Sequence, residues 1–150
     1  MQLTLKVDGR DRTVEVEPRR TLADVLSTHA GCEHGVCGAC TVLVDGEPVR
    51  ACLMFAVQAQ GKAIRTVAGL AASSTEGGEL HPLQRAFIQH HALQCGYCTP
   101  GFLMLAVSLL ERKPGLTDEA LREALSANLC RCTGYQNILK AVRAAADEMR

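Results

Sequence analysis

The sequence predicts an α+β fold, in which an N-terminal sheet domain of β-grasp type precedes an all-α four-helix bundle domain. Three observations predict this division. Apolar and polar residues alternate in several stretches before residue 68, as they do in half-buried strands. From residue 80 onward, apolar residues recur at helical spacing instead, and the stretch between the two patterns is small, polar and glycine-rich. We therefore predict a first domain over residues 1–72, a linker over residues 73–79 and a second domain over residues 80–150.

Two hairpins and one further strand make up the predicted sheet. The dipeptides Asp8-Gly9 and Asp45-Gly46 are typical of tight turns, and each lies between two segments that read as strands. The predicted strands are residues 3–7, 13–16, 41–44, 47–50 and 63–67. Between the hairpins, Thr21 is suited to cap a short helix, with Asp24 at the second position of a capping box.

Four apolar faces at helical spacing predict the bundle of the second domain. Their residues are Leu83, Ala86, Phe87 and His90; Phe102, Leu105, Ala106 and Leu109; Leu121, Ala124 and Leu125; and Ile138, Leu139, Val142 and Ala145 or Ala146. Thr99 and Pro100 suit the N-cap and first position of the second helix, and Thr133-Gly134 precedes the last one.

Charge and composition exclude several functional classes. Lysine plus arginine and aspartate plus glutamate each total 16 in 150 residues, so no basic excess points to nucleic acid. The N-terminus reads as a strand rather than a signal peptide, and the longest apolar run, residues 102–110, is too short to span a membrane. These features predict a cytoplasmic protein. The chain also lacks a nucleophile–base pair, a Walker loop and a dinucleotide fingerprint, so we expect no substrate site of its own.

The first four cysteines have the spacing of a plant-type [2Fe–2S] site. Cys32, Cys37 and Cys40 follow the pattern C-x4-C-x2-C, and Cys52 lies on a later segment. Four thiolates must converge on two irons, which one loop and a neighbouring strand can achieve. Gly31, Gly35 and Gly38 have no Cβ, so we expect backbone N–H groups to approach the sulfurs closely.

The other four cysteines form a second set, which is Cys95 and Cys98 in one pair and Cys130 and Cys132 in the other. Both pairs precede predicted helix N-termini, where free N–H groups and the helix dipole favour an anionic group such as a four-thiolate cluster. Arg131 adds a positive charge between two of the cysteines. All eight cysteines of the chain are thereby used, in two sets of four.

Other interpretations of the cysteines remain open at this point. Structural zinc fits the two closely spaced cysteine pairs of the second set better than it fits the first set, and it would make the chain a scaffold or binding module. Disulfides are disfavoured in a cytoplasmic chain. His34 lies inside the first loop, but a site with three cysteines and His34 would leave one cysteine idle. A free-standing two-cluster ferredoxin is a further alternative, which the neutral charge and the apolar helices disfavour.

Three motifs resemble those of one family. They are GCEHGVCGACTV at residues 31–42, LQCGYCTPG at residues 93–101 and NLCRCTGY at residues 128–135. With them, nearly the whole chain resembles the small iron–sulfur subunits of molybdenum hydroxylases, the family of xanthine oxidase and aerobic carbon monoxide dehydrogenase. The resemblance implies a ferredoxin-like first domain of plant type with one [2Fe–2S] cluster on Cys32, Cys37, Cys40 and Cys52. It implies a second cluster on Cys95, Cys98, Cys130 and Cys132 in the helical domain.

The resemblance also implies partners and a role as an oxidoreductase subunit. Similar subunits join a large chain with a molybdopterin cofactor, here expected as the cytosine dinucleotide, and a medium chain with FAD, in a dimer of heterotrimers. Electrons would pass from molybdenum through the helical cluster and the ferredoxin-like cluster to FAD. Residues at the positions of Gln94 and Cys132 approach the pterin in the family. One departure is the connection between Leu26 and Gly31, Ser-Thr-His-Ala, which is shorter than in most relatives.

Overall fold

A mixed sheet and a set of helices make up the computed structural model of the chain, which describes residues 1–72 and 79–150. The strands are β1 (Gln2–Val7), β2 (Arg10–Glu15), β3 (Thr41–Val44), β4 (Glu47–Arg50) and β5 (Ala63–Arg65). The helices are α1 (Leu22–Leu26), α2 (Val67–Ala72), α3 (Pro82–Gln89), α4 (Thr99–Arg112), α5 (Asp118–Leu125) and α6 (Gln136–Glu148), and two 3-10 turns cover Ala51–Leu53 and Ala56–Ala59. The predicted α+β class is confirmed.

The five strands lie in the order β2-β1-β5-β3-β4, with β1 and β5 parallel and the other neighbours antiparallel. Both predicted hairpins are present, and Asp8 and Asp45 have the positive φ angles that tight turns of this kind require. The strand predicted over residues 63–67 is too long, because it ends at Arg65. Thr66 donates to the Asp8 carboxylate through its backbone N–H and its hydroxyl, both at 2.7 Å, and α2 begins at the next residue.

The predicted cap of α1 is confirmed. The Thr21 hydroxyl accepts from the Asp24 backbone N–H at 3.2 Å, and the Asp24 carboxylate accepts from the Thr21 N–H at 3.2 Å. Ser27 ends the helix in the left-handed conformation, with φ of 52°. This short helix directs the chain into the loop that carries the first three cysteines.

Within residues 1–72 and 79–150, the structure has two apolar cores, which meet at β3. The first lies against one face of the sheet and includes Leu3, Leu5 and Leu22. The second lies among the helices, but it also takes in Leu43 of β3 and Leu70 of α2. Each predicted helical face contributes buried residues to this second core. The predicted linker, apart from Glu79, falls outside the described residues, and the domain limits stay a prediction.

Helix α4 packs directly on the first cysteine loop and on β3. A Cβ added to Gly101 would lie 2.2 Å from the carbonyl oxygen of Gly38, so the backbones approach closely. Ion pairs between Arg65 and Glu111 and between Arg112 and Glu47 tie the same helix to the sheet. None of the helices within residues 1–72 and 79–150 is both long and apolar enough to cross a membrane.

Candidate metal centres

The first four cysteines converge where the loop after α1 meets the turn after β4. Cys40 and Cys52 are buried, and Cys32 and Cys37 are partly buried. The backbone N–H of Cys37 donates to the Cys32 Sγ at 3.3 Å. The thiol of Cys52 interacts with those of Cys40 and Cys32, so three of the four sulfurs influence one another directly. The structure thus brings this predicted set together.

The glycines of this loop allow the close approach that the sequence predicts. Gly35 and Gly38 have φ angles of 86° and 75°, which residues with a Cβ rarely adopt. A Cβ on Gly31 would lie 3.1 Å from the Cys37 Sγ, and one on Gly35 would lie 2.4 Å from the Leu53 side chain. The Cys37 sulfur beside Gly31 and the Leu53 side chain beside Gly35 therefore leave little room for a side chain at either glycine.

Backbone hydrogen bonds and burial shift the pKa values of two thiols of this set in opposite directions. The N–H groups of Cys37 and His34 lower the pKa of Cys32 from 9.0 to about 6. Burial, with the neighbouring Cys40 thiol, raises the pKa of Cys52 to about 11, although the Gly35 N–H acts against this rise. One sulfur is thus ready to bind a cation at neutral pH, whereas the other must lose a proton to do so.

The second set is assembled from two short loops that are distant in sequence. Cys95 and Cys98 precede α4, Cys130 and Cys132 precede α6, and the Sγ atoms of Cys95 and Cys132 are 3.6 Å apart. Burial, followed by a hydrogen bond with the Cys130 thiol, raises the pKa of Cys98 to about 12. Cys95 and Cys132 are exposed, so one side of this set opens to the surface.

Thr133 contacts the sulfur of Cys130 through two hydrogen bonds. The Thr133 hydroxyl lies 3.1 Å from the Cys130 Sγ, and the Thr133 N–H donates to the same sulfur at 3.4 Å. Burial raises the pKa of Cys130, but these hydrogen bonds outweigh it, so the net shift is downward. The Tyr135 hydroxyl accepts from the Cys130 N–H at 3.0 Å, which fixes the start of this loop.

The predicted N-cap of α4 is wrong by one residue. Cys98 is the N-cap, and Thr99 is already the first residue of the helix. The Thr99 N–H donates to the Gly96 carbonyl at 3.2 Å, so the chain turns before Thr99 and the helix begins one position early. A ligand candidate therefore stands at the N-terminus itself, closer to the helix dipole than the sequence predicted.

Gln94 lies at the exposed edge of the second set. Its Nε2 donates to the Cys132 carbonyl at 3.1 Å and so joins the two cysteine loops. The amide oxygen at the other end of the side chain can accept a further hydrogen bond. Of the other side chains considered from sequence, His34 has its Nδ1 2.7 Å from the Cys32 carbonyl, and His90 is the C-cap of α3.

Several contacts between the two sets escaped sequence analysis. The Leu129 N–H donates to the Cys37 carbonyl at 2.9 Å, and Asn128 Nδ2 donates to the Gly38 carbonyl at 3.3 Å. His29 stacks on Tyr97 and bonds to its carbonyl oxygen. No periodicity signals these residues; their only signal is position, since each lies within three residues of a cysteine.

The donor chemistry fits two four-thiolate centres. Each set offers four sulfurs that bond or interact electrostatically with others of the same set, together with backbone N–H groups that stabilise negative sulfur. Over residues 1–72 and 79–150, no group of three or more His, Cys, Asp or Glu side chains is arranged around a single metal ion.

Comparisons with known proteins agree with this geometry. The family described as "2Fe-2S iron-sulfur cluster binding domain" matches residues 5–68, and the one described as "[2Fe-2S] binding domain" matches residues 66–143. The chain is 55% identical to the nicotine 6-hydroxylase small subunit of Paenarthrobacter nicotinovorans, over 95% of this chain and 87% of that one. It is 51% identical to the 6-hydroxypseudooxynicotine dehydrogenase complex subunit beta of the same organism, over 93% and 90%.

A solved structure matches nearly the full length. The crystal structure of quinoline 2-oxidoreductase from Pseudomonas putida 86 superposes with a TM-score of 0.90 at 47% identity, covering 98% of this chain and 94% of that chain. This likeness includes both halves of the molecule.

Proposed function

The chain belongs to the family of small iron–sulfur subunits of molybdenum hydroxylases, and on that premise we propose that it relays electrons through two [2Fe–2S] centres, from a molybdenum–pterin group to FAD. Each bound centre takes up and gives back one electron at a time. Cys32, Cys37, Cys40 and Cys52 hold the first centre, and Cys95, Cys98, Cys130 and Cys132 hold the second. In this proposal the substrate site belongs to a partner chain.

The observation that carries the order of transfer is the difference in exposure between the two sets. Cys40 and Cys52 are buried, whereas Cys95 and Cys132 are exposed, as is Gln94. A group that enters from a partner chain can reach the second set without moving the fold. We infer that the molybdopterin, as its cytosine dinucleotide, lies at Gln94 and Cys132, so that the helical centre is the first acceptor.

The residues around the second set support this role. The Gln94 amide is held by the Cys132 carbonyl, which leaves its oxygen free to accept from a pterin N–H. Pterin edges carry both donors and acceptors, and an amide matches either. We place the molybdopterin on a large partner chain and the FAD on a medium one, in a dimer of heterotrimers. The cytoplasmic location stays a prediction from the sequence.

The through-bond link between the sets supports a relay in series. The Leu129 N–H bonds to the carbonyl of Cys37 at 2.9 Å, and Leu129 is bonded to Cys130. One hydrogen bond therefore connects a proposed ligand of the first centre with a proposed ligand of the second. A chain with two independent storage sites would not need this contact.

Metal analysis of the purified complex and freeze-quench electron paramagnetic resonance test the proposal. We expect about four irons and four acid-labile sulfides per chain, and two distinguishable signals on reduction. After addition of substrate, the signal of the helical centre should appear first. A single signal, zinc at comparable occupancy, or a first signal from the Cys32 to Cys52 set would contradict the proposal.

The variant Gln94→Leu tests the pterin contact. It removes both polar ends of the side chain, so we expect slower reduction of the helical centre and weaker retention of the pterin, with both clusters assembled. Gln89→Leu is the matched control, because Gln89 is an exposed glutamine at the end of α3. Equal reduction rates in the two variants would show that Gln94 does not contact the pterin.

A further inference from the structure

Both cysteine loops of the second set are attached to the first loop, and each attachment is separate. On one side, the imidazole of His29 stacks on the ring of Tyr97, with centroids 4.7 Å apart and planes at 10°. The His29 Nδ1 also donates to the Tyr97 carbonyl at 2.9 Å. His29 lies three residues before Cys32, and Tyr97 lies between Cys95 and Cys98. This contact therefore joins the start of the first loop to the first pair of the second set.

The other attachment holds the second pair. Asn128, which is 1% exposed, donates from Nδ2 to the Gly38 carbonyl at 3.3 Å. Arg50, at the end of β4, donates to the Thr41 hydroxyl and to the Ala127 carbonyl, both at 2.6 Å. It therefore links the start of β3 to the residue before Asn128. The segment just before Cys130 is thereby fixed to the segment between Cys37 and Cys40.

Resting on the proposed two-centre relay, we propose that His29 and Asn128 are positioning residues that set the distance and contact between the two clusters. Each fixes one cysteine pair of the second centre to the loop of the first. Neither side chain is a ligand candidate. Their effect is on the geometry of the electron transfer step between the clusters.

The physical need for two attachments follows from how the second set is built. Its cysteines lie on two short loops, and two of its four thiols are exposed, so packing holds only part of the site. A loop without an attachment would vary in its distance from the first centre, and electron transfer is sensitive to such misplacement. The Asn128 attachment is buried, whereas the His29 attachment is exposed.

The chain offers a graded set of variants for the His29 attachment. His29→Ala removes both the stack and the hydrogen bond, whereas His29→Phe restores the stack alone. Tyr97→Ala removes the stack from the other side. Tyr97→Phe is the matched control, because His29 bonds to the backbone carbonyl and the ring is kept. Asn128→Leu tests the buried attachment, with Thr41 still donating to the Gly38 carbonyl.

Two measurements on the purified complex decide the proposal. An aromatic pair of this kind shifts the balance between attached and free loop by about threefold to tenfold. We therefore expect hydrogen exchange of the peptide over residues 93–99 to rise by that factor in His29→Ala and Tyr97→Ala, not in Tyr97→Phe, and to recover partly in His29→Phe. The magnetic interaction between the two reduced clusters should weaken or broaden in the same order, while the iron content stays unchanged.

Other outcomes overturn the inference. If His29→Ala lowers the melting temperature but leaves the magnetic interaction as in the wild type, the residue is only structural. The same conclusion follows if Asn128→Leu folds and leaves that interaction unchanged. The proposed two-centre relay is tested separately, on the wild-type complex. A single cluster signal from that complex would contradict the relay, whatever the variants show.

Discussion

The two cysteine sets present the same four thiols in different ways. The first is a continuous loop closed by a turn, with glycines at positive φ and two buried thiols. The second is joined from two loops that precede α4 and α6, with two exposed thiols held across 3.6 Å. Three cysteines of the first set thus come from one loop, whereas the second set is assembled from two loops that are distant in sequence.

The proposed relay gives this difference a role. The first loop buries two of its four thiols within the chain. The second set, at helix N-termini, leaves two thiols exposed toward the cofactor that we propose on a partner chain, while the positive dipole ends favour negative sulfur. Three predictions test this difference, beginning with the one of greatest expected effect.

The largest effect is expected from serine at one ligand of each set. Cys37→Ser should remove the first cluster signal and Cys98→Ser the second, each lowering iron from about four to about two per chain. Cys98 anchors the partly buried side of an assembled site, so its loss should also loosen the helices. Iron analysis, paramagnetic resonance and circular dichroism of the two variants measure this. Loss of both signals from either change, with the helices intact, would contradict two separate ligand sets.

A smaller difference, on the order of a hundredfold, is expected in thiol reactivity once iron is removed. Cys32, with a pKa of about 6, is largely thiolate at neutral pH, whereas Cys98, with a pKa of about 12, is almost fully protonated. The lower intrinsic reactivity of a low-pKa thiolate offsets part of the gap, which leaves about a hundredfold. Peptide mapping after limited alkylation at neutral pH measures the ratio.

The pH dependence of this reaction has a definite sign. The pKa of Cys32 in the folded loop lies below its ordinary value of 9.0. The thiolate of Cys32 therefore stabilises the fold fully above that ordinary pKa, and this stabilisation is lost as the pH falls through about 6. Alkylation of Cys32 should therefore be flat above neutral pH and fall below pH 6. Equal rates for Cys32 and Cys98 would show that the first loop does not hold its hydrogen bonds without iron.

The smallest effect is expected from alanine at one glycine of each set. Gly38 and Gly96 have φ angles of 75° and 78°, so both substitutions carry the same backbone strain, about 1–2 kcal/mol. A Cβ at Gly38 would also meet Asn128 Oδ1 at 2.0 Å, whereas one at Gly96 has nothing within 4 Å. We expect Gly38→Ala to cost about 1–3 kcal/mol more in unfolding free energy. Chemical denaturation of the two variants gives the difference, and equal costs would mean that the loops are not in contact.

Local patterns in the sequence predicted most elements of the fold. The turns at Asp8-Gly9 and Asp45-Gly46, the Thr21 cap and the four helical faces all depend on residues close together in the chain, and the structure contains them. Cysteine spacing likewise grouped the eight thiols in two sets of four, because ligand geometry constrains neighbours in sequence, and the ligand roles stay a prediction.

Contacts between distant segments were not predictable in this way. Leu43 reads as an ordinary strand residue, yet it belongs to the helical core, because α4 lies across β3. The end of β5 depends on the Asp8 carboxylate, which binds Thr66 from 58 residues away. His29 and Asn128 have no pattern of their own, since what selects them is a partner on the other loop.

The hydrogen bond from Asn128 to Gly38 spans 90 residues of chain and bears on the order in which the protein matures. During synthesis the first loop emerges long before the segment that contains Asn128, so we expect the loop to stay open until that segment has left the ribosome. Iron and sulfide can enter that loop while it is open. The second set, in contrast, does not exist until the same segment folds back. Cluster insertion should therefore proceed from the N-terminal site to the C-terminal one, the reverse of the direction that we propose for electron transfer.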